Sequence, residues 1–214
     1  MALKLPNWST RTWLIVGGGT ATALALAAVY RREIVYAGGV VLDAAKKEIF
    51  KLVIPSAAQP YGDIILQVAE EQAIDPLLIV AIVQREDPWW DPYIVSGDGG
   101  HGLMQITSDR AWIASSNWSD PYTNMTKGVQ MLKENLAYFA RKGLVGSDQL
   151  RAALAAYNHG PRAVWLNISS NDQFIGMAAV DRGTTNNYSA GVYGTLANLT
   201  ADFQARVTGA AYLT

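Results

Sequence analysis

The run from Asp75 to Glu86 restricts this chain more than any other stretch. Asp75 is a helix-capping residue and Pro76 suits a first turn, so the seven apolar residues Leu77–Val83 predict a helix entering a core. Val83, Ile82 and Ile79 lie three, four and seven residues before Glu86, which makes the carboxyl project from the apolar stripe. A carboxyl placed there either finds a cation, for which Arg85 is at hand, or has its pKa raised by desolvation. The first outcome is a structural ion pair. The second is what a general acid needs to work near neutral pH.

Downstream, the segment between Ser96 and Gly102 holds four glycines, Asp98 and His101, a composition that allows close backbone approach and a short carboxylate in a tight turn. Gly102-Leu103-Met104-Gln105-Ile106 follows, and much later Ala156-Tyr157-Asn158-His159-Gly160. A helix-ending Arg-Glu, a Gly-Asp loop, Gly-Leu-Met-Gln-Ile and Ala-Tyr-Asn, in this order, resemble the goose-type lysozyme and lytic transglycosylase superfamily. Asp181-Arg182-Gly183-Thr184-Thr185-Asn186-Asn187-Tyr188 adds a resemblance to the goose-type ending, in which Gly-Thr-Thr precedes a tyrosine-bearing helix. The likeness covers roughly residues 60 to 205. It implies a mainly α, lysozyme-like domain that cuts the glycan strands of peptidoglycan.

With 214 residues, half of them hydrophobic, the chain is long enough for one catalytic domain and an accessory segment. A net charge of −1 leaves no basic footprint for nucleic acid. Without cysteine, and with two histidines, thiol catalysis and a Cys/His zinc site are excluded, and nothing in the residues calls for a metal or cofactor. Carboxylates are the remaining catalytic groups.

The N-terminus carries 18 uncharged residues from Trp13 to Tyr30, between Arg11 and Arg31. This is the lower edge of a spanning helix, which needs about 20 residues, and aromatic ends suit the interfaces. Residues 1–32 are therefore expected as a membrane segment contacting lipid through residues 13–30; a cleaved signal peptide is the alternative. Gly17, Gly18, Gly19, Ala21 and Ala23 give small-residue spacing for self-association or assembly. Residues 33–59 are expected as an amphipathic stalk and linker helix, and residues 60–214 as the catalytic domain. On this division residues 1–54 are dispensable for folding.

Within the domain, Ile64, Ile65 and Val68 mark a first helix, and Val129, Leu132, Leu136 and Phe139 another, ending at Gly143. Leu150, Ala153, Leu154 and Tyr157 share a face of a helix from Ser147 to His159. Tyr188, Val192, Leu199 and Phe203 give the inner face of a last helix. Pro88, Trp89, Trp90, Pro92 and Tyr93 supply rigid aromatic surface that suits either sugar stacking or core closure.

The resemblance implies roles residue by residue. Glu86 is expected to protonate the oxygen between N-acetylmuramic acid and N-acetylglucosamine, and Asp98 to act as base for water, which makes hydrolysis the expected reaction. Gly102, Leu103, Met104, Gln105, Ile106, Tyr157, Asn158 and Tyr188 are expected to contact the glycan. Here the sequence departs from the goose-type pattern: the loop after Asp98 is shorter, Thr107 replaces a further aspartate, and His159 replaces an alanine. If no group positions water, the sugar's own 6-hydroxyl attacks, as in the lytic transglycosylases. A reading of another class is a membrane-embedded structural or cell-entry protein whose domain binds glycan without cleavage, although binding alone gives no reason for a desolvated acid. An apolar N-terminal run, no cysteine and a compact muramidase suit a bacteriophage virion enzyme or a bacterial envelope-assembly enzyme that opens the wall locally.

Overall fold

The computed structural model describes residues 44–169 and 187–211. The expected membrane run at 13–30, residues 33–43 of the expected stalk, and 181–186 of the Gly-Thr-Thr motif lie outside the described residues. The described elements are α1 (Ala44–Val53), a 3-10 turn (Ser56–Tyr61), α2 (Gly62–Gln72), α3 (Pro76–Glu86), α4 (Arg110–Ser115), α5 (Pro121–Arg141), α6 (Gly146–His159), α7 (Pro161–Ser169) and α8 (Tyr188–Ala211). Among the described residues, β pairing amounts to two isolated antiparallel bridges, Val95 with His101 and His101 with Ile106. No helix among them is long and apolar enough to cross a membrane.

Helix α3 is the axis of the molecule. The Asp75 carboxylate accepts the Leu77 amide at 2.9 Å, and Pro76 occupies the first turn, so the chain enters the helix with one of its orphan donors satisfied. Every residue from Pro76 to Val83 is buried. The helix is thus enclosed on all sides, beyond the one-sided stripe that the sequence predicts. Helices α2 and α8 pack against it, α5 lies on α2 and α6, and α6 also contacts α7 and α8.

Two caps explain where the observed elements extend past the predicted ones. Asp120 accepts the Thr123 amide at 2.8 Å ahead of Pro121, so α5 begins well before Val129. Asp109 accepts the Trp112 amide at 3.0 Å and pairs with Lys127 at 2.6 Å, which caps the short α4 ahead of α5. Gly143 ends α5's turn at φ +86°, as its position after the helix predicts.

The expectation for residues 33–59 needs correction where they are described. Helix α1 packs on α8 and α2, and Phe50, Val53 and Ile54 enter the same core as α3, with Phe50 fully buried. Its polar residues, which suggested a solvated stalk, lie on the outer face, where Lys51 pairs with Asp63 of α2 at 2.7 Å. The domain core therefore starts ahead of Pro60. Phe50→Ala should destabilise the protein by about 3–5 kcal/mol, the usual result of emptying a buried phenylalanine site. Deleting residues 1–54 should lower the denaturant midpoint at least as far; a truncated chain as stable as the full one in urea unfolding would return α1 to the status of a stalk.

Candidate active site

Glu86 closes α3 at the point where the buried helix reaches the surface, and its carboxyl is half-buried. Its Oε1 accepts a hydrogen bond from the Tyr188 hydroxyl at 2.5 Å. Tyr188 opens α8, which packs along α3, so the helix pairing itself delivers the phenol to the acid. The Arg85 guanidinium stands 5.8 Å from the Tyr188 ring centroid. Burial pushes the Glu86 pKa up to about 7; the Tyr188 hydrogen bond and the Arg85 charge oppose this, and the charge of Asp98 adds a smaller rise. The carboxyl therefore titrates in the range where it can both give and take a proton.

Tyr157, from the end of α6, stacks on Tyr188 with ring centroids 6.5 Å apart and planes within 13°. Its hydroxyl donates to the Met104 carbonyl at 2.8 Å, tying α6 to the Gly-Leu-Met-Gln loop. Burial, with the nearby Glu86 charge, drives both phenols well above their ordinary value, so both remain hydrogen-bond donors.

The glycine loop is held from inside. Ser96 is its hub: its amide donates to the Gly100 carbonyl at 2.9 Å, its Oγ accepts the Gly100 amide at 2.8 Å, and its hydroxyl donates to Asp98. A side chain at Gly100 would displace the Gln105 amide and press on the Ser96 Oγ, which lies 2.7 Å from where a Cβ would stand. Gly102 sits at φ +68°, with Asn124 where its Cβ would be. Asn124, buried in α5, accepts the Met104 amide at 2.8 Å and donates to the His101 carbonyl at 2.9 Å. Gly128 leaves room for the Met104 side chain against the same helix.

The predicted site residues do not all come together. Glu86, Tyr157 and Tyr188 do: Tyr188 donates to Glu86 and stacks on Tyr157. Leu103, Met104 and Ile106 are fully buried, so the expected contact of their side chains with glycan is corrected: they anchor the loop in the core. Gln105, at φ 48°, folds its amide back onto the Gly102 carbonyl at 2.8 Å, and Gly102 is buried, so these two shape the turn. Asn158 is exposed past Tyr157. Asp98 stands exposed on the turn, its carboxyl held below the usual carboxylate range by the Ser96 hydroxyl first and by backbone amides after it.

Asn124, Ser96 and Asp87 were not singled out from the sequence. A lone asparagine within a helix-forming stretch, four residues after Asp120-Pro121, was the available signal for Asn124. Asp87 is fully buried beside Glu86; it accepts the Trp89 amide at 3.1 Å, and its pKa is raised by burial. Among the described residues no three His, Asp or Glu side chains gather in a way that would hold a metal ion.

Two outcomes follow from the Glu86 environment. Tyr188→Phe removes the donor that favours the ionised carboxylate, so the Glu86 pKa should move upward from about 7, seen by following carboxyl titration in NMR. Because folding raises this pKa from 4.5 to about 7, the stabilising effect of the protonated form is complete below 4.5 and fades as pH rises through 7. Glu86→Gln should accordingly gain stability on the wild type between pH 5 and 8, by at most about 3 kcal/mol, in urea unfolding at the two pH values. A constant difference would mean that the carboxyl titrates normally.

Comparison with known proteins gives these residues a context. The family described as the transglycosylase SLT domain matches residues 63–178. The membrane-bound lytic murein transglycosylase F of Alcanivorax borkumensis is 31% identical over 101 residues, which are 47% of this chain and 21% of that protein. The chain thus spans about a fifth of that relative's length. The matched stretch runs from α2 through α6 and α7, takes in Glu86, the glycine loop and Tyr157, and extends over more than half of the sequence: the chain belongs to the transglycosylase SLT domain family.

Proposed function

We propose that this protein cleaves the β-1,4 bond between N-acetylmuramic acid and N-acetylglucosamine in peptidoglycan by lytic transglycosylation, with Glu86 acting first as acid and then as base. The observation that carries this reading is a carboxyl with a pKa of about 7, while the second candidate, Asp98, is exposed and engaged by Ser96. The family, and the name of the murein transglycosylase relative, support the substrate.

In the first step protonated Glu86 gives its proton to the glycosidic oxygen as the bond to the muramic anomeric carbon breaks and positive charge develops on the ring. The resulting carboxylate, held by the Tyr188 hydroxyl, then takes the proton of the muramic 6-hydroxyl while that oxygen attacks the same carbon. Glu86 is regenerated in its acid form, and the product carries a 1,6-anhydro end. No second carboxylate and no bound water enter this cycle. Hydrolysis, the reaction expected from the sequence, keeps one observation in its favour: the charge of Asp98 is felt by Glu86.

The setting proposed for this activity is local opening of the wall from a membrane-tethered position, through residues 13–30, in a phage particle or an envelope assembly. It is supported by the apolar character of that run and by the relative's description as membrane-bound.

Mass spectrometry of digested peptidoglycan decides the chemistry. Anhydro-muramic ends are expected from the wild type, and no products from Glu86→Gln, since the amide cannot supply a proton. Asp98→Asn should retain most of the rate. Reducing ends carrying an added water, with a loss of roughly 10²–10⁴-fold in Asp98→Asn, would establish hydrolysis in its place.

A further inference from the structure

The loop that joins Glu86 to the glycine turn is anchored with more interactions than a connector needs. The Trp90 indole is buried, donates to the Gln84 Oε1 at 3.0 Å and stacks on Tyr61 at 5.9 Å, while the Tyr61 hydroxyl donates to the Trp90 carbonyl at 3.0 Å. Asp87 accepts the Trp89 amide at 3.1 Å, Asp91 accepts the Tyr93 amide at 3.0 Å, and the Gly102 amide donates to the Ile94 carbonyl at 2.9 Å. Against this fixed backbone the outer positions alternate. Trp89, Asp91, Tyr93 and Val95 are exposed, whereas Trp90, Pro92 and Ile94 are buried or half-buried.

The exposed positions are unusual in kind. Trp89 is 76% exposed and Tyr93 72% exposed. Half of the large apolar side chains exposed among the described residues, Trp89, Tyr93 and Val95, lie in this one loop. Large aromatics left in water on a backbone held this firmly cost little to order on binding. Two exposed rings flanking an exposed carboxylate in the chain match one ligand chemistry: the apolar face of a pyranose lies on a ring, and its hydroxyl and amide hydrogens donate to the carboxylate. Trp89 is three residues from Glu86, at most about 10 Å along an extended chain, so a sugar on this ledge is continuous with a strand at the acid.

We infer that Trp89, Asp91 and Tyr93 form a sugar-binding ledge that takes an uncharged N-acetylhexosamine ring of the glycan strand beside the bond held at Glu86. The carboxylates of Asp91 and Asp98 on this loop disfavour an anionic group at the same place, which selects the N-acetylglucosamine units. The inference rests on the proposed glycan substrate, and its test is read by binding as well as by cleavage.

The measurement uses the full chain carrying Glu86→Gln and titrates it with the tetramer of N-acetylglucosamine by calorimetry. Trp89→Ala with Tyr93→Ala should weaken binding roughly ten-fold or more, Trp89→Phe with Tyr93→Phe should restore most of it, and Asp91→Asn should weaken it several-fold. In the active protein the alanine pair should raise KM for peptidoglycan about ten-fold while the pH profile set by Glu86 stays in place. Equal binding by the alanine pair, with an unchanged circular dichroism spectrum and melting curve, would overturn the ledge. So would loss of binding to vesicles of anionic and neutral phospholipid by that pair with the sugar titration unaffected. A wild type that binds the tetramer through the ledge yet releases no muropeptides would retain the ledge and refute the proposed cleavage instead.

Discussion

A carboxyl placed at the end of a helix that is apolar on every side is the constraint around which this molecule is arranged. Burying Leu77–Val83 completely requires partners on all sides, and α2, α8 and the glycine loop with its Leu103, Met104 and Ile106 provide them. The same enclosure strips water from Glu86, so the energetics of the core and the acidity of the site have one origin. The negative end of the helix dipole acts in the same direction, since a carboxylate at a C-terminus is disfavoured. A mutation that loosened the packing around α3 would rehydrate Glu86, lower its pKa and leave it ionised near neutral pH, without a proton to give, although the residue itself is untouched.

The loop from Asp87 to Ile106 has the opposite problem. It crosses the surface without regular secondary structure, so its amides and carbonyls need partners found one at a time. Ser96 supplies a set at the turn, Asn124 supplies a pair from α5, and Asp87 and Asp91 each fix the residue two positions on. Glycine is called for where the backbone turns left-handed, at Gly99 and Gly102, and a side chain at Gly100 would crowd Ser96 and Gln105. The consequence is a short connected series: Asn124 holds the Met104 amide, the Met104 carbonyl holds Tyr157, Tyr157 stacks on Tyr188, and Tyr188 holds Glu86. A residue of α5 that never meets substrate is thereby tied to the geometry of the acid.

The helices were legible where local chemistry and periodicity agree. Asp75-Pro76, Gly143 and His159-Gly160-Pro161 mark the ends observed, and the inner positions Tyr188, Val192 and Phe203 are buried as their spacing implies. Tyr157 and Tyr188 were singled out through motif order, which supplies what spacing cannot; the Tyr188 contact with Glu86, across 102 residues, is a finding of the fold. The misreadings share one physical cause. Residues on α1 were judged by local pattern and the apolar residues after the glycine turn by resemblance, whereas their burial depends on which helix covers them. Phe50 is under α8's side of the core, and Leu103, Met104 and Ile106 point inward because α5 and α3 leave them a place. Asn124 escaped notice for the same reason: a polar side chain in a helix announces no partner until the loop folds onto it.

The final balance lies in how far the acid is raised. Desolvation alone would push Glu86 higher still, against the ionised form that the proposed second step uses. The Tyr188 hydroxyl and the Arg85 charge stabilise the ionised form and bring the value back to about 7. Tyr188 can do this without competing for the proton because burial keeps its own phenol far from ionisation. Arg85, exposed and seated over the face of Tyr188, opposes the rise through its charge. A closer guanidinium would favour the carboxylate and a missing tyrosine the acid; a value near 7 leaves the two protonation states close in free energy, which suits a single group serving both halves of the proposed transglycosylation.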